Sequence, residues 1–264
     1  MWRDSLNKLT RVIHKYIVEF IVSGCASLVR CVYKHKHNQQ DRNINIPDIN
    51  NVAILVPHPD DEIIGLYHFM ELIHNKAEIT LFYLTDSSDI NLAKKRRFES
   101  QRAIASLNVR QRIYCGLPDG RLQHHKDSLI KLLHNLSTDY DIVLSPTPND
   151  VTPDHQVIGQ LAYEIIPHNS LIWYRSTWWT FTIKEADFVV TGNANSKLNA
   201  LRHFRTQSNL ALRNTVILSA IEALFHGIET SSIESFRYAS RGIPNTKPIN
   251  TLSFFSIVGI FKSR

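Results

Sequence analysis

The chain has 264 residues, with 30 lysines and arginines against 24 aspartates and glutamates, and a formal net charge of +6. This length suffices for one well-buried domain, and a hydrophobic fraction of 43% argues against a disordered chain. The three cysteines include no Cys-x-x-Cys pair, which argues against a disulfide scaffold and indicates a reducing compartment. We therefore predict a globular cytoplasmic protein.

The positive charge is concentrated at the N-terminus, where residues 1–40 carry seven basic and two acidic side chains. Residues 20–29 form an apolar run that is too short to span a bilayer and starts too late for a typical signal peptide. Two interpretations stay open: a helix packed on the protein's own core, or a basic amphipathic helix lying on the inner membrane face. No nucleic-acid-binding motif accompanies the charge, so we expect no nucleic-acid partner.

Strand-like and helix-like patterns alternate after a polar linker over residues 35–51. We divide the chain into a basic N-terminal helical extension with its linker, 1–45, and one domain, 46–264. Such alternation predicts an α/β fold with a mostly parallel sheet and helices on both faces. The predicted strands are 52–56, 78–84, 112–115, 141–145 and 171–175, and the predicted helices between them are 61–75, 91–107, 126–136 and 154–166.

Beyond residue 176 the pattern loosens. Helical patterns continue over residues 196–210 and 215–225. The tail ends in an apolar run over residues 252–258, which could be either a final strand or a segment that binds a partner.

The most informative motif is Pro57-His58-Pro59-Asp60-Asp61-Glu62, between the first predicted strand and the first predicted helix. In open α/β sheets, ligands bind at the carboxyl ends of the strands. His58 and Asp61 lie three residues apart in one turn and can converge on a metal ion, while Asp60 can face the water that the metal activates.

A second motif, Pro153-Asp154-His155, follows the fourth predicted strand. Because parallel strands bring their carboxyl ends to one edge of the sheet, His155 can supply a third ligand beside His58 and Asp61. Two histidines and one carboxylate, with one open position, describe a catalytic zinc site.

The competing interpretation of the first motif is a simple helix start. Asp60 or Asp61 would then cap the helix, with Glu62 in its first turn. Capping explains neither His58 nor the crowding of so much negative charge, which a cation would relieve.

The two motifs together resemble the PIG-L/LmbE-like family of N-acetylglucosaminyl-phosphatidylinositol de-N-acetylases. The resemblance covers about residues 50–210. Three further stretches agree with it: Arg96-Arg97-Phe98-Glu99, Leu117-Pro118-Asp119-Gly120, and Lys197-Leu198-Asn199-Ala200-Leu201 with Gln207.

The resemblance implies a Rossmann-like fold and a zinc-dependent hydrolase that removes acetyl or related acyl groups from the 2-amino group of glucosamine-type sugars. It implies that His58, Asp61 and His155 bind one zinc ion per chain, with another divalent metal as the alternative, and that Asp60 is the general base. It also implies that Arg96 and Asp119 contact the substrate and that Asp154 supports the His155 end of the site. Glu99 and Lys197 would have structural roles.

The sequence departs from the family at Thr152. The family commonly has a histidine there, three residues before the last zinc ligand, that helps to stabilise the oxyanion. A threonine hydroxyl can donate a hydrogen bond but carries no charge, and one lost oxyanion donor typically costs about 10²–10³ in rate. Three other histidines are possible substitutes: His124, His125 and His203.

We therefore predict a zinc-dependent de-N-acetylase that acts on an N-acetylated sugar or glycoconjugate. The alternatives are a metal-dependent amidase for a different small-molecule amide, and a catalytically weakened sugar-binding accessory protein. A nucleotide-binding module is disfavoured because no glycine-rich loop follows the first strand. The sequence names neither the sugar nor the oligomeric state.

Overall fold

The computed structural model describes residues 49–177, 179–207, 212–225, 228 and 230–248. The predicted extension over residues 1–45 and the apolar tail over 252–258 lie outside these residues. Among the helices that are described, none combines the length and the apolar character needed to cross a bilayer.

The domain is built on one seven-stranded sheet with the strand order β3-β2-β1-β4-β5-β7-β6. Its first five strands pair in parallel, as predicted, and β7 runs antiparallel to both β5 and β6. The strands are β1 Asn51–Val56, β2 Glu78–Asp86, β3 Val109–Pro118, β4 Ile142–Ser145, β5 Leu171–Tyr174, β6 Phe188–Gly192 and β7 Ser232–Tyr238.

Helices cover both faces of the sheet and enclose two hydrophobic cores. The side chains of β1 alternate between the cores, with Val52 and Ile54 in one and Ala53 and Leu55 in the other. The helices are α1 Asp61–Ile73, α2 Ile90–Ala103, α3 Lys126–Asp139, α4 Pro153–Ile165, α5 Ala194–Leu201 and α6 Leu212–Phe225. Helices α3 and α4 cover one face, and the other four contribute to the core on the opposite face.

The structure differs most from the sequence prediction after residue 176. The helix predicted over 196–210 is shorter, because α5 ends at Leu201 and a separate 3₁₀ turn follows at Arg205–Gln207. Strands β6 and β7 were not predicted at all. They add an antiparallel edge to the otherwise parallel sheet.

The polar residues of β7 are buried because they have partners. Lys197 on α5 donates to Glu234 at 2.6 Å, and both side chains are buried. Glu234 also accepts hydrogen bonds from the backbone N–H groups of His68 and Phe69 on α1, each at 3.0 Å. Lys197 therefore joins α5 to the sheet and has the structural role that the family resemblance implied.

Candidate active site

The turn between β1 and α1 holds Asp60 in an unusual backbone conformation. Its φ of 144° is the only positive value among the described non-glycine residues. Such strain persists where the surrounding structure enforces it and is concentrated at functional sites. The backbone N–H of Asp60 donates to Glu62 Oε2 at 2.8 Å, and the Gln207 side-chain amide donates to the carbonyl oxygen of Pro59.

Glu62 supports this turn through its hydrogen bonds and is not among the residues that line the cleft. It is fully buried, and its Oε1 accepts hydrogen bonds from the hydroxyls of Ser100 (2.7 Å) and Tyr83 (3.2 Å). Burial raises the pKa of Glu62 to about 7. The capping interpretation does not apply to Asp60, since its side chain makes no capping hydrogen bond to α1.

Three ligand atoms from the predicted site converge on one position. His58 Nδ1 lies 3.2 Å from His155 Nε2 and 3.5 Å from Asp61 Oδ2, and His155 Nε2 lies 3.1 Å from Asp61 Oδ2. Tetrahedral zinc with bonds of about 2.0–2.1 Å places its ligand atoms about 3.3 Å apart. The three residues therefore fit a tetrahedral divalent metal with one position left for a ligand.

The far side of the His58 ring is held by two carboxylates. Its Nε2 lies 3.1 Å from Asp154 Oδ2 and 3.3 Å from Asp119 Oδ1. Asp154 is itself fixed by the backbone N–H groups of Gly120 (2.7 Å) and Leu122 (3.0 Å). When Nε2 carries the proton and donates to these carboxylates, Nδ1 has its lone pair free for a metal.

Asp154 therefore lies at the other end of the site from the one that the family resemblance implied. Although it is adjacent to His155 in sequence, it contacts His58. The residue behind His155 is Asp150, which the sequence analysis did not single out. His155 Nδ1 lies 2.9 Å from Ser176 Oγ and 3.4 Å from Asp150 Oδ2, and the Ser176 hydroxyl donates to Asp150 at 3.2 Å.

Changing Asp150 to asparagine is expected to weaken metal affinity about 10- to 100-fold, because a carboxylate behind a ligating histidine fixes its tautomer and raises its basicity. Competition with a chromophoric chelator would measure the affinity. Asp127→Asn, at an exposed acid on α3, is the matched control and should bind metal like the wild type. Unchanged affinity in the Asp150 variant would contradict this role.

The charges within the cluster shift the pKa values of its members in different directions. Burial lowers the pKa of His155, but the charges of Asp61 and Asp150 outweigh it and raise the pKa to about 9. Burial raises the pKa of Asp60 well above its usual value, and the charges of Asp61 and Glu62 raise it further. For Asp61 the attraction of His155 exceeds the effect of burial and lowers the pKa. Imidazolium rings and carboxylates thus neutralise one another in this cluster. A metal cation can take the place of the imidazolium protons.

The cluster opens into a cleft of about 420 Å³, within the range of about 300–1,000 Å³ that is typical of small-molecule sites. Arg96 and Asp119 lie in its wall and are hydrogen-bonded to each other at 3.0 Å, and Thr152 also lines it. None of the three histidines considered as substitutes for Thr152 belongs to the cleft lining: His124, His125 and His203. The remaining lining residues are Thr177, Gln207, Leu212 and Thr215.

Residues 53–166 match the sequence model of the PIG-L family, which is described as GlcNAc-PI de-N-acetylase. This segment is therefore similar to the PIG-L family. It contains the whole candidate metal-ligand cluster, from His58 to His155. No curated protein sequence matches the chain.

Solved structures with a similar fold include enzymes with different reactions. The N,N'-diacetylchitobiose deacetylase of Pyrococcus horikoshii is 21% identical, with 85% of this chain and 96% of that chain covered and a TM-score of 0.58. The 4-carboxy-2-hydroxymuconate hydratase of Pseudomonas putida KT2440 is 14% identical, with 75% and 98% covered and a TM-score of 0.55. A zinc-inhibited form of a teicoplanin deacetylase is 13% identical, with 72% and 98% covered and a TM-score of 0.51. At these identities the matches establish the fold alone, and the reaction has to be argued from the site.

Proposed function

We propose that this protein is a metal-dependent de-N-acetylase that hydrolyses the acetamide of a glucosamine-type sugar or glycoconjugate. One observation carries the proposal: His58, Asp61 and His155 aim three ligand atoms at one position, and the buried, strained Asp60 lies beside them in the same cleft. The proposed metal is one zinc ion per chain. A different divalent ion is the alternative, because one deacetylase of this fold is described in a zinc-inhibited form.

A divalent metal held by these three residues supplies Lewis-acid chemistry, polarising a carbonyl and lowering the pKa of a water towards neutrality. The reaction consumes one water and one amide and yields acetate and an amine. Asp60 takes the proton of the attacking water while the new C–O bond forms at the acetamide carbon. It then returns that proton to the amine nitrogen as the C–N bond breaks.

The other residues orient rather than react. Asp154 and Asp150 hold the rings of His58 and His155 in the tautomers that the metal needs. Arg96 and Asp119 place a fixed donor next to a fixed acceptor, which suits neighbouring sugar hydroxyls, and Asp119 is held between Arg96 and His58. Because the charge of Arg96 is paired, this wall favours an uncharged sugar ring over an anionic one.

The test is metal content and acetate release on one sample of the full chain. The sample is stripped with a chelator, reloaded with Zn²⁺, Co²⁺ or Mn²⁺, and offered N-acetylglucosamine in free, nucleotide-linked and lipid-linked forms. We expect one metal per chain and acetate from at least one form. His155→Ala should lose the metal, whereas His134→Ala, at an exposed histidine of α3, should keep it. A chain that binds no metal after reloading would contradict the proposal.

Thr152 favours the second candidate function, a catalytically weakened sugar-binding protein, over a fully active hydrolase. Its hydroxyl stands where the resembling family commonly has a histidine, so stabilisation of the oxyanion is weaker. Metal binding and saturable sugar binding without release of acetate would support this function. Release of a different acid would instead support the third candidate, an amidase for another small-molecule amide.

For cellular location we propose the cytoplasm, with peripheral contact at the inner membrane face through residues 1–40. The support is the surplus of basic residues there and the sparse cysteines of the chain. Deleting residues 1–40 should move the protein from sedimented anionic vesicles to the supernatant. A full-length chain that does not sediment with such vesicles would remove the membrane contact.

A further inference from the structure

The cleft has two chemically different ends, separated by the metal-ligand cluster. At one end lie Arg96 on α2, which follows β2, and Asp119, which follows β3. At the other end lie Thr177, which follows β5, and Leu212 and Thr215 on α6, a helix that packs against β7. The sheet order places the ends of β1 and β4, which carry the cluster, between these two ends.

At the α6 end, Leu212 supplies an apolar side chain and the hydroxyl of Thr215 is engaged within the helix. The hydroxyl of Thr215 donates to the carbonyl oxygen of Leu212 at 2.6 Å, so its proton is already engaged. Thr215 therefore offers the cleft its methyl group and an acceptor. Leu212 and Thr215 are three residues apart and share one face of the helix. Leu212 is 7% exposed and also belongs to the hydrophobic core with Val216.

This apolar wall is fixed relative to the metal-ligand cluster. Arg175 donates through both terminal nitrogens to Glu222 on α6, at 2.9 and 2.7 Å, and both side chains are buried. The residue next to Arg175 is Ser176, which contacts His155 Nδ1. A two-point ion pair of this kind holds its partners in one orientation, so it links α6 to the segment that carries Ser176.

We propose that Leu212 and Thr215 form the acyl-binding wall of the site and limit the acyl group to the size of acetyl. This inference rests on the proposed function. In an N-acyl sugar the scissile bond separates the sugar from the acyl group, so a sugar held by Arg96 and Asp119 directs the acyl group to the opposite end of the cleft. There the methyl of an acetyl group meets apolar side chains, and a longer chain collides with Leu212.

The test is the preference of the metal-loaded full chain among N-acetyl, N-propionyl and N-butyryl forms of the same glucosamine substrate. Leu212→Ala should raise kcat/KM for the butyryl form relative to the acetyl form by about tenfold or more, the usual effect of making room for methylene groups. Leu218→Ala is the matched control, because it removes the same atoms from another buried leucine of α6 that does not line the cleft. Its butyryl-to-acetyl ratio should equal that of the wild type.

A second measurement does not depend on which sugar is the substrate. Free acetate and butyrate are titrated into metal-loaded protein by calorimetry, and Leu212→Ala should strengthen butyrate binding relative to acetate. Turnover with the same acyl preference in the wild type and Leu212→Ala would overturn the acyl wall alone. Metal binding with no acid released from any N-acyl sugar would overturn the proposed function as well.

Discussion

Replacing Asp60 by asparagine is expected to lower kcat by about 10²–10⁴-fold while the metal stays bound, the usual range for removing a general base. The amide has the shape of the carboxylate but cannot take the proton of the attacking water. The proposed metal ligands, His58, Asp61 and His155, are untouched. Turnover and metal content should be measured on the same sample, so that loss of the base is separated from loss of the metal.

The backbone at this position makes asparagine a fair replacement. Asp60 has a φ of 144°, and asparagine is one of the few residues that tolerate positive φ. Asp89→Asn is the matched control. Asp89 is an exposed acid that caps α2 at the same edge of the sheet, and asparagine caps helices equally well. Near-normal turnover in Asp60→Asn with its metal bound would show that another group acts as the base.

Two kinds of site residue could be predicted from the sequence: those that lie together in one turn, and those that strand order brings to the same edge of the sheet. His58, Asp60 and Asp61 lie in one turn after a strand that is obvious from its apolar run. His155 follows from the rule that parallel strands end at one edge. The predicted ligand atoms do meet, with no separation above 3.5 Å. Their roles as ligands and base remain proposals.

The supporting carboxylates could not be assigned from sequence, because proximity along the chain is misleading at a helix start. Asp154 is adjacent to His155, yet as an early residue of α4 it turns towards Gly120 and Leu122 and reaches His58. Asp150 is five residues from His155 but lies before the helix, where it contacts the Nδ1 edge of that ring. Only the path of the chain around the start of α4 distinguishes the two.

Strand β7 escaped prediction for a different physical reason. Strands β1 to β5 contain apolar runs, whereas β7 reads Ser-Ile-Glu-Ser-Phe-Arg-Tyr and buries several polar side chains. Glu234 is paired with Lys197, which lies far away in sequence. Arg237 donates to the carbonyl oxygens of Glu185 and Gly242. A hydropathy pattern cannot reveal a strand whose burial depends on partners from other elements.

Replacing Thr152 by histidine is expected to raise kcat by about 10²–10³-fold if the proposed reaction is limited by stabilisation of the oxyanion, since one good donor has about that effect. The position can accept the change. Thr152 is the N-cap of α4, but its side chain makes no capping hydrogen bond, so replacing it removes none. Its backbone is extended, with φ of −72° and ψ of 119°, which histidine adopts without strain.

The backbone of residue 152 is held in place, because its N–H donates to Asp150 Oδ1 at 2.8 Å. Val151→His is the matched control, because Val151 is 48% exposed and does not line the cleft. Thr152→Val, which loses the hydroxyl but keeps the shape, should lower kcat below that of the wild type. Metal content must stay constant across the series, because an added histidine could also act as a ligand. If Thr152→His and Thr152→Val both turn over like the wild type, position 152 contributes no donor, and the oxyanion must be stabilised from elsewhere in the cleft.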